Sequence, residues 1–155
     1  MNQVVILATS ESPSSGSQAM ARAVQSVLES RGVPASILDA RDAPSPSVLR
    51  ESLESATHVV FAVPIYNFGV NAVAKRWVEE AGGKLEDKVV GFVCKAGGPR
   101  AFMGVLNFAN ALMLDFRCWI VPRFVYATDA DFAKVLPGPA LTERLELFVT
   151  ELLSK

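Results

Sequence analysis

Histidine and cysteine are nearly missing from this chain. Among 155 residues there is one histidine, His58, and there are two cysteines, Cys94 and Cys118. A zinc site built from such residues needs about four ligands, so no metal centre of that kind is expected. Two cysteines cannot build a disulfide scaffold. An excess of charge is also missing. Fifteen basic residues face sixteen acidic ones, for a net charge of −1, which excludes the basic footprint of a nucleic-acid-binding domain. No apolar run approaches the length of about 18 residues that a membrane span requires. The N-terminal MNQVVILATSES has no positive region ahead of its short apolar run VVILA, unlike a secretory signal. The expectation is a cytoplasmic domain with no membrane and no nucleic-acid partner. Its chemistry must proceed without a catalytic histidine unless His58 supplies one.

What the chain does have is apolar content. Half of it is hydrophobic, and the mean hydropathy is +0.29, too apolar for disorder. At roughly 100–200 residues per domain, residues 1–155 are expected to form a single domain. Two periodicities alternate along it. Val4–Leu7, Ala35–Ala40, His58–Val63, Lys88–Cys94 and the short Cys118–Val121 read as strands, several of them continuous apolar runs of the kind buried on both faces. Between them run helical stripes. Met20, Val24, Val27 and Leu28 form one, ended by Gly32 and Pro34; Leu49, Leu53 and Ala56 suggest a shorter one. Val70, Val73, Ala74, Trp77, Val78 and Ala81 form a wide stripe stopped by Gly82-Gly83. Phe102, Leu106, Ala109, Met113 and Phe116 predict a fourth inner face, and Leu141, Leu145, Phe148 and Leu152 a fifth.

Strand and helix thus alternate five times, which predicts an α/β fold with a parallel sheet covered on both sides. Five strands point to a flavodoxin-like three-layer sandwich with strand order 2-1-3-4-5. Ligands then bind beyond the carboxyl ends of the strands, at the switch between the first and third. Three loops occupy that edge.

The first, Thr9–Ser17, reads TSESPSSGS and opens into a helix. Six of its nine residues carry a hydroxyl. Free amides at a helix N-terminus with hydroxyls around them suit a phosphate; ordinary capping by Ser15 and Gln18 is the competing reading. With no lysine or arginine in the loop, a monophosphate suits it better than a triphosphate. Neither GxxxxGK[ST] nor GxGxxG occurs. The loop after the third strand holds Pro64, Tyr66, Asn67, Phe68 and Gly69. Its aromatics either meet a flat heterocycle or close the end of the core. The loop after the fourth strand holds Gly97-Gly98-Pro99, which either admits a planar ligand or makes a tight turn. Lys95 and Arg100 flank it and read as isolated surface cations without a specific role.

These residues carry a resemblance. Val63–Glu79, VPIYNFGVNAVAKRWVE, resembles the Pro-x-Tyr-Asn flavin loop and following helix of the NADPH-dependent FMN reductase family, which includes quinone, azo-dye and chromate reductases. Leu38–Pro44, LDARDAP, and the Gly-Gly turn after strand four are similar to further family segments. The resemblance implies an FMN phosphate held by Ser10, Ser12, Ser15, Ser17 and Gln18. It implies an isoalloxazine ring lined by Pro64, Ile65, Tyr66, Asn67, Phe68 and Gly69, with Ala96, Gly97 and Gly98 at its other edge. It further implies NAD(P)H-dependent oxidoreductase activity, by ping-pong hydride transfer from NADPH or NADH through FMN to a small acceptor such as free flavin or a quinone. No protein side chain would then be catalytic. The family's first loop usually carries an arginine, which this chain lacks.

The alternative function is a flavodoxin-type electron-transfer protein without its own NAD(P)H activity. Such carriers tend to be strongly acidic, and this chain is nearly neutral. A receiver-like module is a poorer match, with Glu11 and Pro64 where an acidic cluster and a phospho-accepting aspartate are needed. The helix read over Ala101–Phe116 carries a second apolar face, Val105, Phe108 and Leu112. With Trp77, that face predicts a homodimer interface, and the resemblance implies a dimer too.

Overall fold

The computed structural model describes residues Met1–Lys155. In chain order the elements are β1 (Val4–Ala8), α1 (Gly16–Ser30), β2 (Ala35–Asp39), α2 (Pro46–Ser55), β3 (His58–Tyr66) and β4 (Gly69–Val70). There follow α3 (Ala72–Ala81), β5 (Val89–Lys95), α4 (Leu106–Phe116), β6 (Trp119–Ile120), β7 (Val125–Ala127), β8 (Phe132–Ala133), β9 (Leu136–Pro137) and α5 (Pro139–Leu152).

The parallel sheet runs β2-β1-β3-β5, and β6 and β7 follow one another along the outer edge of β5. This is the expected order of five strand positions, with the fifth broken in two. Pro122 lies in the break, where it has no N–H to give to a ladder. The short β4 folds back antiparallel on the end of β3. Strands β8 and β9 form a separate hairpin that the sequence pattern does not announce.

Side chains in a strand alternate between faces, and here both faces are apolar. Val5, Leu7, Val59, Phe61 and Phe92 pack against Leu49 and Leu53 of α2, Trp77 of α3, and Phe108 and Leu112 of α4. Val4, Ile6, Val60 and Ala62 pack against Met20, Val24 and Leu28 of α1 and Leu145 and Phe148 of α5. The result is three layers, with α1 and α5 on one side of the sheet and α2, α3 and α4 on the other. No helix is long and apolar enough to cross a membrane.

Two expectations are corrected. First, β3 runs on to Tyr66, so Pro64, Ile65 and Tyr66 belong to the strand and not to a loop. Second, α4 is rotated, so that of its expected inner stripe only Ala109 and Phe116 pack on the core. Val105, Phe108 and Leu112 are buried in the subunit's own core, as is Trp77, while Phe102, Leu106 and Met113 are exposed. A helix with two apolar stripes does not reveal by periodicity which stripe faces in. Ring packing decides it: Phe108 meets Phe61 and Phe92 edge-on, with centroids 5.2 and 6.1 Å apart. Trp77, Val105, Phe108 and Leu112 therefore cannot form an interface with another subunit.

Gly91 of β5 faces α5. A Cβ there would stand 2.6 Å from two ring carbons of Phe148. Gly91→Ala should cost about 1–3 kcal/mol through overpacking, measured by urea unfolding; an unchanged midpoint would mean that α5 shifts freely.

His58 is buried at the start of β3. Its Nδ1 lies 2.8 Å from Thr57 Oγ1, and its Nε2 has no hydrogen-bond partner. Burial pushes its pKa below the ordinary 6.5. Above 6.5 the imidazole is neutral in both folded and unfolded chains. As pH falls through 6.5, the unfolded chain gains a proton that the folded chain refuses, so stability declines until the folded pKa is passed. Thermal melts from about pH 8 to about pH 5 should show this decline, and His58→Leu should reduce its slope.

Candidate functional site

Three parallel strands point their carboxyl ends to one edge of the sheet. Ala8 of β1 lies opposite Ala62 of β3, and Ala62 opposite Val93 of β5. The segments that follow them therefore emerge at one edge. Ser10, Ser12 and Ser15 of the first loop, Pro64, Ile65 and Tyr66 of β3, and Ala96 and Gly97 after β5 bound a cavity of about 360 Å³. Ile65, Asn67, Phe68, Ala96, Gly97 and Gly98 bound a neighbouring one of about 260 Å³. Of the residues named from the sequence, Ser17, Gln18 and Gly69 line neither cavity.

The first loop ends in a helix cap. Ser15 has extended backbone, and its hydroxyl accepts from the Gln18 amide at 3.3 Å. The amides of Ser14, Ser15, Gly16 and Ser17 find no acceptor within the protein, as a helix N-terminus dictates. Ser17 is buried, with its hydroxyl 2.9 Å from that of Ser15. Gln18 does not return to Ser15 as a capping box would require. Its side-chain amide instead donates to the Ser10 carbonyl and Asp39 Oδ1, both at 2.9 Å, and approaches the Ala8 carbonyl at 3.3 Å. It is a strut tying the loop to β1 and β2. Burial raises the Asp39 pKa, but hydrogen bonds from Arg41 outweigh that and hold it below its ordinary value. Asp39 therefore remains an acceptor for Gln18 at neutral pH.

Tyr66 and Gly69 pair across a two-residue hairpin whose central residues, Asn67 and Phe68, have φ of 50° and 61°. Positive φ at both positions is the type I′ geometry that suits hairpin twist. It is an uncommon conformation for a bulky phenylalanine. The hairpin lifts its aromatics out of the core: Tyr66 is 54% exposed and Phe68 67%. Closing the end of the core is therefore not what these rings do. Gly69 serves the pairing. Asn71, just beyond, is bound reciprocally to Thr9: its Nδ2 donates to the Thr9 carbonyl at 2.7 Å, and Thr9 Oγ1 donates to its Oδ1 at 2.8 Å.

After β5, a Cβ added at Gly97 or Gly98 would meet nothing within 4 Å, and neither residue has a left-handed φ. Neither backbone nor packing demands glycine there. The open space over them faces the hairpin. The Tyr126 hydroxyl donates to the Gly98 carbonyl, and the Ala96 amide donates to the Ala127 carbonyl at 2.9 Å, so β7 holds this turn.

Several residues at the edge escaped the sequence reading. Ser14 and Gly16 line the first cavity from within the hydroxyl-rich loop, whose composition could have named them. Arg100 and Ala101 line the second. Tyr126 carried no signal, because its strand lies past the Pro122 break. Lys95 lines the first cavity although it reads as a surface cation.

The walls offer backbone amides, hydroxyls, aromatic rings and open glycines, with no histidine, cysteine or carboxylate. Both thiols lie elsewhere. Burial pushes Cys94 up to about 12 and Cys118 to about 11, so neither is a thiolate near neutral pH. Such an arrangement can bind an anion at one end and a flat group at the other.

No curated protein sequence matches the chain. Several solved structures share its fold at low identity. An apo NADH:FMN oxidoreductase is 14% identical, with a TM-score of 0.83 over 99% of this chain and 90% of that one. Flavodoxin 1 from Bacillus cereus is 13% identical, with a TM-score of 0.73 over 99% and 98%. An azoreductase from Bacillus anthracis is 14% identical, with a TM-score of 0.67 over the whole of both chains. The family model described as NADPH-dependent FMN reductase matches residues 2–132, which include the first loop, the hairpin and the Gly97-Gly98 turn. By that match, the chain belongs to the NADPH-dependent FMN reductase family.

Proposed function

We propose that this chain binds FMN at the carboxyl edge of its sheet and is an NAD(P)H-dependent FMN oxidoreductase. The observation that carries the reading is one edge with acceptor-less amides at Ser14–Ser17 at one end and open space over Gly97 and Gly98 at the other. The residues present suit the group. Amides and hydroxyls of the first loop would hold the phosphate. Ile65 and the Ala96–Gly98 backbone would flank the ring, with Tyr66 and Phe68 adding apolar contact and orientation. Gln18 supports the phosphate loop from behind, as Ser17 supports Ser15.

The chemistry that bound FMN supplies is acceptance of a hydride from NADPH or NADH and, in a second half-reaction, reduction of a small acceptor such as free flavin or a quinone. The protein's part is to bind, orient and leave one face open. The exposed aromatics of the hairpin border that face, which suits a sequence of flat partners entering in turn. A net charge of −1 argues against the strongly acidic surface of a dedicated flavodoxin-type carrier.

The outward face of α4 supports a homodimer. Leu106, Met113, Ile120 and Phe124 border one apolar depression, and Phe102, Met103 and Pro122 extend it across shared walls. A contiguous apolar patch of this kind marks an interaction surface, and a second copy is the occupant that fits a self-complementary dimer.

Purified protein should be yellow or should take up added FMN, and NADPH or NADH should bleach the bound flavin without air. A protein that binds no FMN refutes the reading; bound flavin that neither nucleotide bleaches favours the carrier. Tyr66→Ala should weaken FMN binding by about three- to tenfold, the value of an aromatic contact. Gly97→Val should fold but weaken it further, because its side chain enters the space over the turn. Fluorescence titration measures both. Size-exclusion chromatography with light scattering should give a dimer, and Leu106→Glu with Met113→Glu should give monomers; a wild-type monomer refutes the interface.

A further inference from the structure

The first loop contains no lysine or arginine, yet the cavity it borders is not without a cation. Among the side chains lining that cavity, only Lys95 carries a full charge, and it also lines the adjoining cavity at Ser14–Gly16, where Arg22, Lys134 and Asp129 join it. It arrives from a different element, the last residue of β5, and reaches across to the helix N-terminus. Its stem lies over Gly16, the first residue of α1. A Cβ on Gly16 would stand 3.0 Å from both Lys95 Cγ and Lys95 Cε. A side chain at Gly16 would press on the lysine stem and on the Phe132 ring.

The ammonium group is held in place without being used up. Nζ donates to the Ala96 carbonyl at 3.0 Å and to Asp129 Oδ1 at 2.6 Å. An ammonium has three protons, so one remains. The two partners differ in character. The Lys95 side chain is 17% exposed, while that of Asp129 is 81% exposed. An ion pair with so solvated a carboxylate contributes little, and it can yield to a stronger anion. A phosphate at the acceptor-less amides of Ser14–Ser17 would be such an anion, doubly charged or nearly so near neutral pH.

We propose that Lys95 is the phosphate-binding cation of this site, supplied from β5 in place of an arginine in the first loop, with Asp129 holding it ready. The inference rests on the flavin reading above and deepens it. It makes affinity depend on the phosphate ester specifically: FMN gains from Lys95, whereas riboflavin, which has the same ring and chain without the phosphate, does not.

The test compares FMN with riboflavin on wild type and Lys95→Met, which keeps the stem over Gly16 and removes the charge. Dissociation constants come from quenching of flavin fluorescence, and melting curves without ligand confirm that both proteins fold. The expected result is FMN binding weakened by roughly tenfold or more, the range for loss of a charged hydrogen bond, with riboflavin binding changed less than about twofold. Raising the salt concentration should shrink the wild-type preference for FMN more than that of the variant. Unchanged FMN affinity in Lys95→Met, or equal weakening of FMN and riboflavin, overturns the assignment of Lys95 and leaves the flavin reading standing. Failure of wild type to bind FMN overturns both.

Discussion

The parallel register of β1, β3 and β5 is the constraint on which the rest depends. Because Ala8, Ala62 and Val93 lie side by side in parallel strands, the chain leaves the sheet three times at the same edge, with β5 and β3 running two and four residues past Ala8. Burial on both faces keeps the register in place. A slip of one residue would send Val5, Leu7, Val59 and Phe61 to the side now packed by α1 and α5. The same core that stabilises the sheet therefore brings the first loop, the hairpin and the glycine turn to a common edge.

Polar side chains then join those segments to one another. Asn71 bonds Thr9 and links the hairpin to the first loop. Gln18 links that loop to β2 through Asp39, and Tyr126 links the glycine turn to β7. Lys95 bridges from β5 to the residues around Asp129. Each fixes a loop from a neighbouring strand, so the edge is organised before any ligand arrives. Preorganisation of that kind reduces the ordering cost of binding. The left-handed Asn67 and Phe68 fit this pattern, since a strained hairpin persists only where its surroundings hold it.

The scarcity of titrating groups takes its meaning from burial. The two thiols are pushed up and the one imidazole is pushed down, so each stays neutral near neutral pH. None of them lines the edge. On the proposed reading, this leaves the reactive chemistry to a bound cofactor, and the protein supplies amides, hydroxyls, open space and one well-held cation.

The sequence alone determined the order of the five main strand positions and five helices, the strand order and most of the lining of the candidate site. Continuous apolar runs and helical stripes follow directly from burial on two faces and on one, and a hydroxyl-rich loop or a Gly-Gly turn is visible as local composition. Only the tertiary structure decided which stripe of α4 faces inward, because Leu106 and Phe108 are equally apolar and ring packing against Phe61 and Phe92 makes the choice. Only the tertiary structure turned Gln18 from a cap into a strut, since Asp39 is distant in sequence. It likewise took Lys95 from the surface to the end of the first loop, against Gly16. That contact joins residues far apart in the chain, and no pattern within either segment encodes the distance between them.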